Sequence, residues 1–325
     1  MSGLKLKLAM MLALTILIGL TTLFSILILD FLGFANIYMA FAIALIFNVF
    51  QWLISPYMIN LLYGVKKASP LEYPKLHYIL DKLSQKANIP KPKLMIANIP
   101  IPNAFAYGSP ITGKMVAVTA GLLNTLDEKE IEAVIGHELG HIKHKDLEIM
   151  MIISLLPAVF YFIARLTLFS YSSDRRERGY SALIGIISFI AYWILSLIVL
   201  YLSRLREYYA DTFSIDLADD PQEGASNLAE ALAKIALKTG LWKIRGYDTK
   251  TVGAFKALFI SDPDNAERDI QALGKEMGYG DQRLVRQVLS RDISLWDQLV
   301  EIFSTHPNIV KRIKLMYEYA RAKSR

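Results

Sequence analysis

Four apolar runs, each long enough to cross a bilayer, constrain this chain more than any other feature. A helical crossing needs about 20 predominantly apolar residues. The runs are Leu8–Leu29, Phe34–Ile59, Leu147–Phe169 and Ala182–Leu202. The 54% hydrophobic content is high for a soluble protein, and the excess is concentrated in these runs. The first run follows Lys5 and Lys7. It is too long for a signal-peptide core and has no small-x-small cleavage site, so it reads as an uncleaved anchor. The expected class is mostly α with a small β-sheet: a multi-pass membrane protein with four transmembrane helices. The stretches between the runs form one domain split by the second helical pair.

The expected layout is therefore a transmembrane hairpin over 1–65, a first domain part over 66–146, a second hairpin over 147–202, and a second domain part over 203–325. Lys5, Lys7, Lys66 and Lys67 flank the first hairpin, and the turn Asp30–Gly33 has no basic residue. By the distribution of Lys and Arg in short loops, the domain faces the cytoplasm of a cell membrane. The second hairpin disagrees, because its turn carries Arg175, Arg176 and Arg178 and its first run contains Arg165. A snorkelling Arg165 in a full crossing and a hairpin that only dips into the bilayer both answer that conflict.

In the first domain part, Pro74–Ala87 has helical periodicity. Lys93–Ile99, Asn103–Gly108 and Lys114–Thr119 read as strands. A helix then opens after candidate caps Thr125 and Asp127. The second part reads as almost wholly helical, with an amphipathic stretch over Asn227–Lys238 and a basic closing helix over Ile309–Arg321. Residues 240–300 carry no motif.

The opened helix contains His137-Glu138-Leu139-Gly140-His141. Its two histidines share one face about 6 Å apart along the axis, a spacing at which two imidazoles grip one zinc ion. Glu138 lies beside them, within reach of the attacking water. The chain has no cysteine and only five histidines, so a metal must be held by His, Asp or Glu. His144 lies about 10 Å along the axis from His137, too far to share one ion on a straight helix, and is assigned to the ligands' surroundings or the surface. The better third ligand is Glu207. His141 stands just before the third apolar run and Glu207 just after the fourth, and an antiparallel pair of runs brings both feet to one surface. Asp211, one turn after Glu207, is placed to accept the free ring N–H of His137 and fix its tautomer.

HELGHIKHKD followed by REYYAD after a hydrophobic hairpin, together with NAFAYG and the late His306-Pro307, resembles the HtpX family of membrane-bound zinc metalloproteases. The resemblance covers nearly the whole chain. It implies a gluzincin-type domain binding one zinc ion through His137, His141 and Glu207. It also implies an ATP-independent endopeptidase that clears misfolded or damaged membrane proteins. Glu138 then acts as general base, with His306 as the electrophile facing the oxyanion, and Arg206 and Arg312 behind it. A helix-capping role for His306 before Pro307 is an equal reading, and occupation of the open metal position at rest is a further alternative. Asn103, Ala104, Phe105 and Ala106 are the candidate edge that pairs with an extended substrate.

The partners expected are protein substrates, chiefly membrane proteins, and the lipid bilayer. The net charge of +6 comes without a basic stripe interleaved with aromatics, which argues against nucleic acid. Two competing functions are a CaaX-type prenyl-protein endopeptidase, disfavoured by only four runs, and a chaperone-like membrane protein with a degenerate site. A channel or transporter is disfavoured because the runs lack paired charges and broken helices.

Overall fold

A computed structural model describes residues 37–169, 175–244, 285, 289–290 and 292–324. The chain divides into two compact units, one comprising 1–53 and 148–202, the other 54–147 and 203–325.

The elements in order are α1 (Ile37–Leu62), β1 (Val65–Lys67), α2 (Pro74–Ala87), β2 (Lys93–Ala97), β3 (Ala104–Ser109), β4 (Gly113–Thr119), α3 (Ala120–Leu123), α4 (Glu128–Lys143), α5 (Asp146–Phe169), α6 (Arg175–Leu217), α7 (Pro221–Ile244), α8 (Leu295–Ile302) and α9 (Ile309–Lys323). The fold is thus mostly helical with a small mixed sheet. The first apolar run lies outside the described residues. The second, from Ile37 onward, falls within α1, and the third falls within α5. Among the described residues one helix, Gly179–Leu217 within α6, is long and apolar enough to cross a membrane, so the expected four crossings reduce here to one clear candidate.

In the second unit the strands run in the order β1-β2-β4-β3. β2 and β4 are parallel, and the two outer pairs are antiparallel. Alternate residues point to opposite faces. Leu94, Ala106, Val116 and Val118 join the main core with α2, α4, α7 and α9. Met95, Phe105, Tyr107, Met115 and Ala117 join Ile59 and Tyr63 in a smaller cluster on the other face. Both faces are covered, which explains why KMVAVT is apolar almost without alternation. The three-residue β1 had no sequence signal of its own: VKK is short, and only five residues separate it from the second apolar run.

Helix α4 begins at Asp127. Its carboxylate accepts the Glu130 N–H at 2.9 Å, and the Glu130 carboxylate accepts the Asp127 N–H at 2.9 Å. This reciprocal box satisfies two of the donors that a helix start leaves over. Thr125, the other candidate cap, instead donates its hydroxyl to the Gly121 carbonyl.

Two glycines set where α4 meets α6. A Cβ on Gly140 would stand 2.9 Å from Ala210 Cα and 3.2 Å from Ala210 Cβ, and one on Gly136 would stand 3.0 Å from Ser214 Oγ. Backbone therefore approaches backbone at Gly140, the Ser214 hydroxyl fills the space beside Gly136, and the neighbouring stripes carry His137 and His141 on one helix and Glu207 and Asp211 on the other. Gly140→Ala must force the helices apart, because the obstructing atom is main chain. The expected cost is about 1–3 kcal/mol, read as a lower thermal midpoint together with weaker metal binding. An unchanged midpoint would show that the contact is not tight.

Candidate metal centre

The helical spacing of His137 and His141 brings their Nε2 atoms to 3.1 Å. Glu207 reaches them from α6, with Oε2 3.6 Å from His137 Nε2 and Oε1 3.6 Å from His141 Nε2. One ligand atom from each of the three residues lies within 4.8 Å of the others, an arrangement able to hold a metal ion. His137 and Glu207 are buried, and His141 is partly open.

The outer ring nitrogens face carboxylates. His137 Nδ1 is 2.9 Å from Asp211 Oδ1, and His141 Nδ1 is 2.6 Å from Asp146 Oδ2. Carboxylates at Nδ1 place the proton there and turn both Nε2 lone pairs inward. Two lone pairs facing each other repel unless a cation or a proton lies between them. Glu207 Oε2 is buried and accepts no hydrogen bond; its charged neighbours are His137 and, at 3.3 Å, Arg312 Nη1. A tetrahedral ion bound at 2.0–2.1 Å sets neighbouring ligand atoms about 3.3–3.4 Å apart. The donor set, its spacing and the orphaned oxygen fit a divalent metal.

Electrostatics support the same conclusion. Burial alone would push the His137 imidazole down, but Asp211 and Glu207 outweigh it and raise its pKa from 6.5 to about 9. A proton thus substitutes for the cation when no metal is bound. The folded-state value lies above the ordinary one, so the metal-free protein keeps this stabilisation below pH 6.5 and loses it as pH rises toward 9. Metal binding must displace that proton. Metal affinity is therefore expected to rise by about tenfold per pH unit from pH 6.5 to 8, measured by competition with a chromophoric chelator. A flat profile would refute it.

Glu138, next to His137 in the chain, is buried and accepts the Ala106 N–H at 2.7 Å. Burial raises its carboxyl pKa, partly countered by His141 and His137. Its hydrogen-bond partner comes from β3, which sits at the edge of the sheet and pairs with β4. Asn103 is buried just before it, its N–H donated to Thr119 Oγ1 at 2.9 Å, and Ala104 and Phe105 are buried as well.

His306 lies in the turn between α8 and α9, buried, with Nε2 4.0 Å from Glu207 Oε1 and Nδ1 3.0 Å from the Thr305 hydroxyl. Arg206 places Nε 3.1 Å from Asp146 Oδ2, behind His141. Arg312 forks onto Asp211, with Nε to Oδ2 at 2.9 Å and Nη2 to Oδ1 at 2.6 Å. Burial would pull the guanidinium down, yet Asp211 and Glu207 raise its pKa further.

His144 does not join this group. It is exposed at the C-terminal cap of α4 and packs edge-on against Phe213 and Tyr209, which is the surface position that was one of its two expected places. Asp146 was missed by sequence reasoning. Lys145 adopts φ 56°, in the left-handed region, and this reversal between α4 and α5 folds Asp146 back onto His141. The available signal was an acid five residues after the second histidine, straight after the end of the helix.

A helix presenting two inward-facing imidazoles, joined by a distant glutamate against a mixed sheet, defines a metal-dependent hydrolase. Residues 70–320 match the model of peptidase family M48, and the chain belongs to that family. It is a metalloprotease, an enzyme that hydrolyses peptide bonds. Its relatives are HtpX proteases. A protease HtpX homolog of Methanothermobacter thermautotrophicus is 42% identical over 236 residues, covering 72% of this chain and 87% of the relative. One from Thermoplasma acidophilum is 36% identical over 277 residues, covering 84% and 82%. Homolog 1 of Sulfolobus acidocaldarius is 33% identical over 324 residues, covering 97% of each. Among solved structures, S. mikatae Ste24p shares the fold at TM-score 0.55 and 18% identity, covering 96% of this chain and 67% of that one.

Proposed function

We propose that the chain is a zinc-dependent membrane endopeptidase acting on misfolded or damaged membrane proteins. The observation that carries this reading is the inward convergence of His137 Nε2, His141 Nε2 and Glu207, with the buried Glu138 carboxylate close enough to feel the charge of both imidazoles. Two imidazoles and one carboxylate are a ligand set of catalytic zinc, which keeps its fourth position open. Bound zinc supplies Lewis-acid polarisation of the scissile carbonyl and makes water a nucleophile at neutral pH.

The chain's own residues do the rest. Glu138 takes the proton of the attacking water, and its raised pKa suits it to hand that proton to the leaving amine. Asp211 and Asp146 hold the two imidazoles in the tautomer that directs Nε2 inward. His306, with Nε2 4.0 Å from Glu207 Oε1, donates to the developing oxyanion. An extended substrate lies along Asn103–Ala106, paired through the backbone of β3, which gives affinity without demanding a particular sequence. Ala106 gives its N–H to Glu138, so the proposed base and the proposed substrate strand share one hydrogen bond.

The apolar run within α6 anchors the chain in the cell membrane, and the first, second and third runs complete a multi-pass arrangement with the catalytic unit in the cytoplasm. Lys66 and Lys67, both exposed, support that orientation. Loops and juxtamembrane segments of membrane proteins are the substrates a membrane-anchored protease reaches most readily.

The test uses full-length protein in detergent, stripped by chelator and reloaded. Cleavage of casein should disappear on stripping and return with about one equivalent of zinc per chain. Cleavage that survives complete removal of metal would refute the proposal.

A further inference from the structure

One buried cation near the metal centre has no part in the mechanism above. Arg204 stands one turn before Glu207 on α6 and is 9% exposed. Its Nη1 donates to the Ile302 carbonyl at 3.0 Å and to the Ser304 carbonyl at 2.8 Å. Ile302 ends α8, so its carbonyl is among those a helix terminus leaves without an intrahelical partner. A cation there also opposes the negative end of the helix dipole. Two residues past Ser304 comes His306, with Nε2 4.0 Å from Glu207 Oε1.

The far side of the same turn is held as well. Glu301, also buried, accepts the Asn308 N–H at 3.2 Å and pairs with Lys311. The turn 303–308 is therefore tied internally across its own base, and Arg204 ties it to the helix that carries the metal-binding carboxylate. Arg204 and Glu207 are three residues apart on one helix and so face the same way. The guanidinium fixes the start of the turn, and the carboxylate lies where the turn delivers His306.

We infer that Arg204 is a positioning residue, tethering the turn 303–308 to α6 so that His306 stays in register with Glu207. The inference rests on the role proposed for His306. It also assigns Arg204 a consequence that simple core stability does not predict: its loss acts on the reaction through His306 alone.

The experiment compares R204A, H306A and the double variant in the full-length, zinc-loaded protein. Peptide kinetics, zinc content and amide hydrogen exchange are measured in parallel. H306A is expected to lower kcat about 100-fold, the scale of one lost oxyanion donor. R204A should fall to within about tenfold of that value at an unchanged KM. The double variant should match H306A within about threefold, because the two act as one unit. Exchange in peptides spanning 302–308 should rise about tenfold in R204A, with α4 unchanged and zinc retained.

Multiplicative losses in the double variant, unaltered exchange over 302–308, or loss of zinc from R204A would each overturn the inference. Should wild type show no zinc-dependent cleavage, the peptidase reading fails by itself. Exchange then decides the tether: a rise confined to 302–308 upholds it, and no rise overturns it. If R204A does not fold, R204K carries the same measurements, with an expected rise of about threefold.

Discussion

Glu138→Gln should slow casein hydrolysis by about 10²–10⁴-fold, the range that general acid–base catalysis supplies, while one zinc remains bound per chain. The substitution preserves volume and keeps a carbonyl oxygen able to accept the Ala106 N–H that Glu138 now accepts at 2.7 Å. It removes the ability to take up and return a proton. Glu138 is 3% exposed, so solvent cannot readily replace it as a base. The Nε2 atoms of His137 and His141 are unaffected by the change, which is why metal content should hold. Elemental analysis and a thermal scan accompany the kinetics. Activity within a factor of three of wild type, with zinc present, would remove Glu138 from the mechanism.

Arg312→Met should have the largest effect on stability. Arg312 is 2% exposed and forks onto Asp211, which is 0% exposed, while its third nitrogen lies 3.3 Å from Glu207. Methionine fills much of the space and leaves two buried carboxylates to share the His137 imidazole in place of the guanidinium. Breaking one side of such a pair costs about 3–5 kcal/mol. In the metal-free protein the thermal midpoint should fall by roughly 10 °C, at about 2–4 °C per kcal/mol. With zinc bound the fall should be smaller, since a divalent cation beside Glu207 compensates part of the lost charge. Arg312→Lys should rescue poorly, because an ammonium does not reproduce the bidentate fork. A midpoint within about 1 °C of wild type would mean that Asp211 and Glu207 do not depend on Arg312.

These predictions rest on contacts that the sequence exposed to different degrees. The pairing of His137 with His141 follows from helical pitch, a local property that four residues suffice to state. Glu207 was accessible because two apolar runs of similar length separate it from the histidines, and antiparallel runs return the chain to its starting level. Asp211 follows from Glu207 by one helical turn. Arg312 was named only as a reserve for the oxyanion, whereas it forks onto Asp211. Its partner lies 101 residues away, and no periodicity links the two. Asp146 depends on a single left-handed residue, Lys145, a conformation that lysine does not advertise. The sheet was legible as three strands, but not as the order that leaves β3 at its edge, since order is decided by long-range pairing. The caps behaved similarly: Thr125 and Asp127 are both suitable, and Glu130 at the third position selects Asp127.

Gly136 and Gly140 leave α4 bare where it meets Ala210 and Ser214. Side chains yield by changing rotamer, but main chain pressed on main chain has little such freedom. At Gly140 the seam therefore works as a mechanical stop, limiting how far the two helices can move together. Ion coordination demands a fixed spacing between its donors, and the proposed donors stand one stripe away from this stop. Small residues are thus needed at the seam to keep that spacing, although none of them belongs to the proposed donor set.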